Sequence, residues 1–300
     1  TAGWRLPYIS SDGQVIEFEG QLRTDIYSVD DVQLDGGRNF NGTTGRMIPQ
    51  VSASWRYPLV KQFSDSNLLI EPVAVLTLSP NGGNPEKIPN EDSLVPEFND
   101  TNLFSSNRYA GYDRVESGPR LGYGMRGQYQ FWTATYIDWL FGQNFRTDNQ
   151  GDFPFSNDLY SHFSDYVGKI GWHADMLDLA YRFRMDKDSF SPKRQEIDAS
   201  FNLSPLTLTA AYLSLQNDPI LDSREEISGN ATLNLTKTWS VNLNGRRDLQ
   251  NDQLTSVGTG LAYKNECTSI ATMIGREYTR DRDIKPSTTF LFLVGLKNLE

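Results

Sequence analysis

The chain has very few of the residues on which metal sites and disulfide frameworks depend. Its 300 residues include one cysteine, Cys267, and two histidines, His162 and His173. One cysteine cannot form a disulfide within the chain, and two histidines in separate segments do not supply the paired ligands of a zinc site. A hydrolase built on a serine and one of these histidines would lack a nucleophile motif. We therefore predict no catalytic residue, no metal and no cofactor.

Long apolar runs and positive charge are scarce as well. No segment approaches the roughly 18 consecutive apolar residues of a transmembrane helix. Lysine and arginine number 28 against 38 aspartate and glutamate residues, which gives a net charge of -10. A nucleic-acid-binding protein needs a basic surface for the phosphate backbone. The sequence therefore excludes a helical membrane protein and argues against nucleic acid as a partner.

Apolar and polar residues alternate along most of the chain. Between residues 15 and 28, apolar residues such as Ile16 and Phe18 alternate with charged residues such as Glu17 and Glu19. A period of two residues predicts β-strands, and helical periodicity is hard to find. We predict about fourteen strands, at residues 15–28, 47–58, 68–78, 114–129, 131–145, 164–172, 177–186, 194–204, 206–216, 225–236, 239–248, 253–264, 268–280 and 288–297.

The strand lengths favour a membrane barrel over a soluble sandwich. Most of the strands have about the 10 residues needed to cross a bilayer, whereas sandwich strands average roughly five or six. Aromatic residues make up 12% of a chain whose mean hydropathy is -0.52. Several rings lie near predicted strand ends, which is typical of an interfacial girdle: Trp55, Tyr57, Trp132, Trp139, Trp172, Trp239 and Tyr263. We predict an all-β fold, an antiparallel transmembrane β-barrel over residues 1–300.

Charged residues of both signs occupy the alternate positions of several strands. This pattern predicts a wet, ion-paired lumen. The polar positions that we expect to face it are Arg114, Glu116, Arg120, Arg126, Arg182 and Arg184.

Short and long connections alternate along the predicted strands. The joints at 204–206, 236–239 and 264–268 are tight, whereas 29–46, 80–113, 146–163, 187–193, 217–224 and 281–287 are longer. Bacterial barrels place short turns in the periplasm and long loops outside, which predicts a periplasmic Cys267. A connection as long as 80–113 is usually functional or disordered. Its candidate functional residues are Asn90, Glu91, Asp92, Asn107, Arg108 and Asp113.

Two blocks of sequence resemble the LptD family. The segments IPNEDS (88–93) and FNDTNLFSSNRYAGYDRVESGPRLGYG (98–124) match its pattern of an acidic loop, then LF, then NR-aromatic-x-G-x-DR. The segment NECTSIATMIGREYTRDRDIKPSTTFLFLVGLKNL (265–299) is similar to its closing strands. Residues 49–59 and 71–80 also resemble the family, so the likeness covers most of the chain.

The resemblance implies a non-enzymatic translocon in the bacterial outer membrane. Such a protein inserts lipopolysaccharide into the outer leaflet through a laterally opening barrel of about twenty-six strands. The chain would then be the C-terminal part of a larger barrel, without the N-terminal periplasmic jelly-roll domain. The implied partners are lipopolysaccharide, an LptE-like lipoprotein plug, a periplasmic lipopolysaccharide-transport bridge and outer-membrane lipids. A passive porin shares every feature except the motif blocks and is the alternative; a secreted β-rich adhesin is a third.

The resemblance also assigns roles near the C-terminus. It implies a disulfide between Cys267 and the N-terminal domain, with an unpaired thiol as the alternative; Glu266 stands where many members have a second cysteine. It makes the last strand one lip of the lateral opening, and the alternative is an ordinary closing strand. The residues of this strand are Thr288, Thr289, Phe290, Leu291, Phe292, Leu293, Val294, Gly295, Leu296 and Lys297.

Overall fold

The computed structural model describes residues 1–34, 36–131, 134–147, 153, 158–218, 222–279 and 285–296. It contains sixteen strands: β1 (Ala2–Ile9), β2 (Val15–Leu34), β3 (Arg38–Arg56), β4 (Leu59–Gln62), β5 (Ser66–Leu78), β6 (Arg120–Phe131), β7 (Tyr136–Arg146), β8 (Tyr166–His173), β9 (Leu177–Met185), β10 (Pro192–Leu203), β11 (Leu206–Asp218), β12 (Asp222–Asn234), β13 (Trp239–Asp248), β14 (Gln253–Lys264), β15 (Thr268–Glu277) and β16 (Thr288–Leu296). The prediction of an all-β antiparallel fold is confirmed. In the described part of the chain, no helix is long and apolar enough to span a bilayer.

The strands form one sheet in which sequence neighbours are usually sheet neighbours. Its order runs from β1 to β16, with β4 paired to β5 beside the main path. Within the described ranges, β1 and β16 are the two ends of this order. The chain divides into two compact units. Unit 1 comprises Thr1–Tyr129, Asp138–Lys169 and Arg184–Ser191, and unit 2 comprises Gln130–Ile137, Ile170–Phe183 and Pro192–Glu300.

In unit 1, β2 and β3 form a hairpin with arms of 20 and 19 residues. The prediction of a long loop at 29–46 is therefore wrong, because both strands continue into this segment. The pairing register shifts between Val29 and Val32, and Asp31 adopts a φ of 58°. A bulge of this kind adds an unpaired residue and interrupts the alternation of side chains, so the strand pattern is lost in the sequence.

Two short strands were not predicted. β1 pairs with the first part of β2, and its Pro7 suits a strand at the end of the sheet order. β4 has four residues, too few to show an alternation.

The hydrophobic core of unit 1 is built largely from loops. The core draws on the segment 79–119 between β5 and β6 and on Phe153 and Leu159 between β7 and β8. Their buried apolar side chains pack together with one strand residue, and the Tyr109 and Phe153 rings stack at 5.3 Å between centroids. The cluster consists of Phe98, Leu103, Tyr109, Phe153, Leu159 and Val167.

The strand predicted at 114–129 begins later, at Arg120. Gly118 has a φ of 78°, and Pro119 has no N–H with which to join a ladder. Arg114 and Glu116, which were predicted at strand positions, therefore lie in the loop that precedes β6.

In unit 2, β10 to β16 are consecutive antiparallel hairpins, and their register is regular apart from shifts between Leu215 and Asp218 and between Arg246 and Arg247. Rows of opposed residues run across them, such as Phe201, Leu208, Ala231, Leu243, Thr259, Ile274 and Phe290. The next row along the strands consists of Ser200, Thr209, Asn230, Asn244, Gly258, Gly275 and Thr289. One face of this sheet is therefore apolar and the other polar. The loop predicted at 217–224 is shorter than expected, because β11 ends at Asp218 and β12 begins at Asp222.

Candidate functional site

A buried carboxylate gathers three arginines in unit 1. Glu116 is 1% exposed, and its Oε1 lies 2.6 Å from Nη1 of Arg108, 3.6 Å from Nε of Arg120 and 4.0 Å from Nη1 of Arg146. Arg108 and Glu116 come from the loop 79–119, whereas Arg120 begins β6 and Arg146 ends β7. This cluster, which we call the Glu116 cluster, therefore ties the loop to two strand ends.

The same arginines also hold the backbone of the two long loops. Arg108 donates to the carbonyls of Asn102 and Leu103 at 3.0 and 3.1 Å. Arg146 donates to the carbonyl of Leu159 at 3.1 Å. Burial lowers the pKa of the Arg108 guanidinium, and the neighbouring Glu116 carboxylate opposes this effect. Removing one member of such a buried cluster leaves an uncompensated charge, which costs about 3–5 kcal/mol.

The residues predicted to be functional in the long loop hold its shape. Asp92 accepts hydrogen bonds from the backbone N–H groups of Tyr112 and Asp113, at 2.7 and 2.9 Å. Asp113 in turn accepts from the N–H groups of Glu91 and Asp92, at 2.7 and 3.1 Å. These bonds favour the carboxylate and lower the pKa of Asp92 to about 2. We call this reciprocal arrangement the Asp92–Asp113 clasp.

Two asparagines complete the loop. Asn90 bonds to both backbone groups of Ser93, at 2.7 and 3.0 Å, and Asn107 accepts from the N–H of Glu116 at 2.9 Å.

A second charged group, which was not predicted from the sequence, links the same loop to the long hairpin. Asp25 lies 2.8 Å from Nε of Arg23 and 2.7 Å from Nε of Arg46. Arg46 also donates to the carbonyl of Asp113 at 2.8 Å, and both arginines donate to the carbonyl of Tyr112. In the sequence, the pair Arg23 and Asp25 on the charged side of β2 could have indicated this group. Arg46 was hidden because its segment was predicted to be a loop.

The arginines predicted to face the lumen are engaged in local contacts. In unit 1, Arg114 donates to the carbonyl of Ile88 at 2.9 Å, and Arg184 lies 3.3 Å from Glu97. Arg126 pairs with Glu71 in the same unit. In unit 2, Arg182 pairs with Asp198. The structure thus does not gather them into one cationic site within either unit, and their exposure to a lumen stays a prediction.

The polar face of unit 2 forms a broad groove of about 510 Å³. Six hydroxyl or amide residues line it, together with His173, Asp178, Asp198 and Arg246. Its polar wall residues on β10 to β14 include Asp198, Ser200, Thr209, Ser228, Asn230, Asn244 and Ser256. The hydroxyl and amide groups among them donate and accept hydrogen bonds without a fixed charge, as sugar hydroxyls also do.

The C-terminal features that the sequence predicted are exposed. Cys267 lies in the turn between β14 and β15, where Asn265 accepts from the N–H groups of Cys267 and Thr268 at 2.9 and 2.7 Å. Every described residue of β16 is exposed, and β16 pairs with β15. Lys297 and Trp132, two of the predicted residues, lie outside the described residues. The disulfide and the lateral opening remain predictions.

Within the described ranges, no group of three His, Cys, Asp or Glu side chains is arranged to hold a metal ion.

Comparison with protein families decides the assignment of the chain. Residues 1–239 match the family described as "LptD: LPS transport system D". The chain belongs to the LptD family. This membership assigns it to lipopolysaccharide transport at the outer membrane and confirms the predicted family. The closing block at 265–299 lies beyond the matched residues.

Solved porins show a distant likeness. A triple mutant of the Rhodopseudomonas blastica porin is 9% identical with a TM-score of 0.38, covering 95% of this chain and 91% of that chain. A multiple mutant of the same porin is 10% identical with a TM-score of 0.36, covering 92% and 98%. Salmonella typhi OmpF in complex with daunomycin is 9% identical with a TM-score of 0.34, covering 96% and 99%. Comparison with curated protein sequences gave no match.

Proposed function

We propose that the chain is part of a non-enzymatic translocon that inserts lipopolysaccharide into the outer leaflet of the bacterial outer membrane. The family supports the substrate, and the two-faced sheet of unit 2 supports the route. Its apolar face contacts lipid, and its polar face contacts the sugars. The long turns of the sheet face outwards and the short ones face the periplasm.

The observation that carries this proposal is the chemistry of the polar face. Asn242 on β13 donates to Asn230 and Thr232 on β12 at 2.5 and 3.1 Å, so amide and hydroxyl groups bond across these two strands. A neutral network of this kind exchanges hydrogen bonds with sugar hydroxyls and avoids the repulsion that an acidic surface would exert on an anionic lipid.

The partners of the complex follow from this proposal. An LptE-like lipoprotein fills the barrel, and a periplasmic bridge delivers lipopolysaccharide through an N-terminal domain. Exposed Cys267 joins that domain through a disulfide, and β16 is one lip of the lateral opening. A full-length protein that migrates identically with and without reductant would contradict the disulfide.

Photo-crosslinking on β13 tests the route. Consecutive residues Val241 and Asn242 lie on the apolar and the polar face, at the same level and near the short turn. With a photoreactive residue at position 242, we expect an adduct that antibodies to lipopolysaccharide detect. The matched variant at 241 gives none, because it contacts phospholipid of the inner leaflet. A passive porin would give no adduct at either position.

A further inference from the structure

The apolar face of unit 2 ends in two different borders. On one side, the tilted rings of Trp239 and Tyr263 lie 5.0 Å apart on neighbouring strands, close to the short turns. On the other side, the register places Arg247 and Arg276 on this same face, with Tyr278 beside Arg276. Eight residues separate Trp239 from Arg247 along β13, which corresponds to about 27 Å.

The face between these borders is exposed and uncharged. In the described part of β10 to β16, no acidic or basic residue occupies the rows of Phe201, Leu203 and Trp239 on this face. The large side chains of these rows remain accessible, for example Leu243 at 55% and Phe290 at 69%. An apolar band bordered by aromatic rings is what a membrane barrel presents to lipid. The two arginines stand at its outer edge.

A shallow apolar groove of about 280 Å³ leads along this face to Arg247. Its walls are Ile227 and Leu254, and its floor includes Gly229 and Gly245. A Cβ atom at either glycine would meet no atom closer than 3.6 Å, so the strand packing does not require glycine there. Glycine within a strand reduces its stability, and at these positions no packing contact accounts for it.

The charges at the edge fit a phosphate. Arg276 donates to Thr288 at 2.9 Å and lies 5.8 Å from the centre of the Tyr278 ring. These two contacts hold the guanidinium of Arg276 at the border of the apolar face. Arg247 pairs with Asp252, whose side chain is 83% exposed, and such an exposed pair is weak and exchanges readily. The arginines flank Val257, which lies on the intervening strand opposite both Gly245 and Arg276. A guanidinium binds phosphate oxygens in a bidentate manner, which an ammonium group cannot do.

We propose that this edge binds one lipopolysaccharide molecule of the outer leaflet from the lipid side. A phosphate of its lipid part is bound by Arg247 and Arg276, and one acyl chain lies in the groove over Gly229 and Gly245. The inference rests on the proposed function for the orientation of the sheet in the outer membrane. It adds a site on the outer surface of β12 to β15, separate from the polar route through the lumen.

The test uses the intact protein in detergent micelles and native mass spectrometry with three probes. These are the diphosphorylated lipid part of lipopolysaccharide, its dephosphorylated form, and phosphatidylethanolamine. We compare R247Q/R276Q with R224Q, because Arg224 is an arginine of β12 that pairs with Glu226 and lines neither groove. We expect about tenfold weaker binding of the diphosphorylated lipid in R247Q/R276Q and unchanged binding in R224Q. The dephosphorylated form should bind weakly to both.

A third variant tests the groove separately from the charges. Gly245→Leu fills the groove floor without a backbone clash, since the nearest atom to its Cβ is 3.7 Å away. We expect weaker binding of the diphosphorylated lipid although both arginines remain. Equal binding by R247Q/R276Q and R224Q, or equal binding of the dephosphorylated lipid or phosphatidylethanolamine, would overturn the site.

Surface lipopolysaccharide, measured in cells that carry each variant, separates this inference from the proposed function. If R247Q/R276Q loses lipid binding while cells export lipopolysaccharide normally, the outer site binds lipopolysaccharide that has already been inserted. If depletion of the protein leaves export unchanged while R247Q/R276Q alone loses the lipid, the proposed function fails and the site stands.

Discussion

The loops of unit 1 enclose a buried apolar core, whereas the sheet of unit 2 exposes its large apolar side chains on one face. Outside this core, the strands of unit 1 also expose apolar side chains, such as Ile26 at 79% and Val60 at 70%. The loops of unit 1 bury Phe98, Leu103 and Leu159 to 1% exposure or less. Among the described residues of unit 2, Leu215 is the only buried apolar side chain, at 2%. A packed core is weakened by lost volume, and a lipid-facing sheet is weakened by added charge. The two units should therefore respond to opposite kinds of substitution.

The largest expected effect is on the Glu116 cluster. Glu116→Ala leaves Arg108, Arg120 and Arg146 without their shared carboxylate and should destabilise unit 1 by about 3–5 kcal/mol. The readout is the temperature at which the protein loses its folded migration in gels, together with protease cleavage within 79–119. The matched control is Glu17→Gln, whose exposed pair with Arg5 contributes little. Equal stability of the two variants would contradict the role given to this cluster.

The next largest loss of stability is expected for a leucine in the core of unit 1, compared with a leucine on the apolar face of unit 2. Leu103→Ala in unit 1 creates a cavity and should cost about 2–5 kcal/mol. Leu208→Ala in unit 2 removes a side chain that is 39% exposed on the apolar face, and the surrounding lipid replaces its contacts. The same gel assay should show a clear decrease for the first variant and a small one for the second. A larger decrease at 208 would mean that unit 2 has a packed core after all.

A charge added to the sheet of unit 2 should impair assembly when it lies on the apolar face and should be tolerated on the polar face. Leu243→Arg puts a guanidinium in the middle of the apolar band and should cost about 2–4 kcal/mol. Asn244→Arg adds the same charge one residue further along β13, on the polar face, and should be tolerated. Assembly into the outer membrane, measured as heat-modifiable protein in membrane fractions, compares the two. Similar assembly of both variants would show that neither face contacts lipid.

The smallest effect is the pH dependence of the Asp92–Asp113 clasp. The pKa of Asp92 is about 2 in the folded loop, below the value of 3.8 without these hydrogen bonds. Because the folded value is the lower one, the stabilisation is present above pH 4 and is lost as the pH falls towards 2. Hydrogen exchange at the N–H groups of Tyr112 and Asp113 should accelerate over this interval. Asp92→Asn should remove the dependence, and a retained dependence would assign it to another group.

The sequence predicted unit 2 better than unit 1 for a physical reason. In β10 to β15, alternation is set by the two environments of the sheet, so the predicted strands 194–204, 206–216, 225–236, 239–248, 253–264 and 268–280 lie close to the observed ones. The loop core of unit 1 depends on contacts distant in sequence. Tyr109 and Phe153, for example, stack although 44 residues separate them, and local periodicity carries no trace of that contact.

For the candidate functional residues as well, the sequence did not reveal contacts between distant segments. Asp92, Asp113 and Arg108 were identified as important in a long loop, and the structure shows that they hold its shape. Their partners Arg46 and Arg146 were not identified, because residue type alone does not reveal which distant carbonyl an arginine reaches. The outer edge at Arg247 and Arg276 was also missed, since its recognition requires the register of four strands.

Site-directed spin labelling along β13 tests the central claim most directly. In a Cys267→Ser background, single cysteines at positions 241 to 244 each carry a nitroxide label in reconstituted outer-membrane lipid. We expect the labels at Val241 and Leu243 to be relaxed by oxygen, which concentrates in lipid, and those at Asn242 and Asn244 by a water-soluble nickel complex. Accessibility that does not alternate along these four positions would contradict a sheet with one face towards lipid and the other towards the route of the sugars.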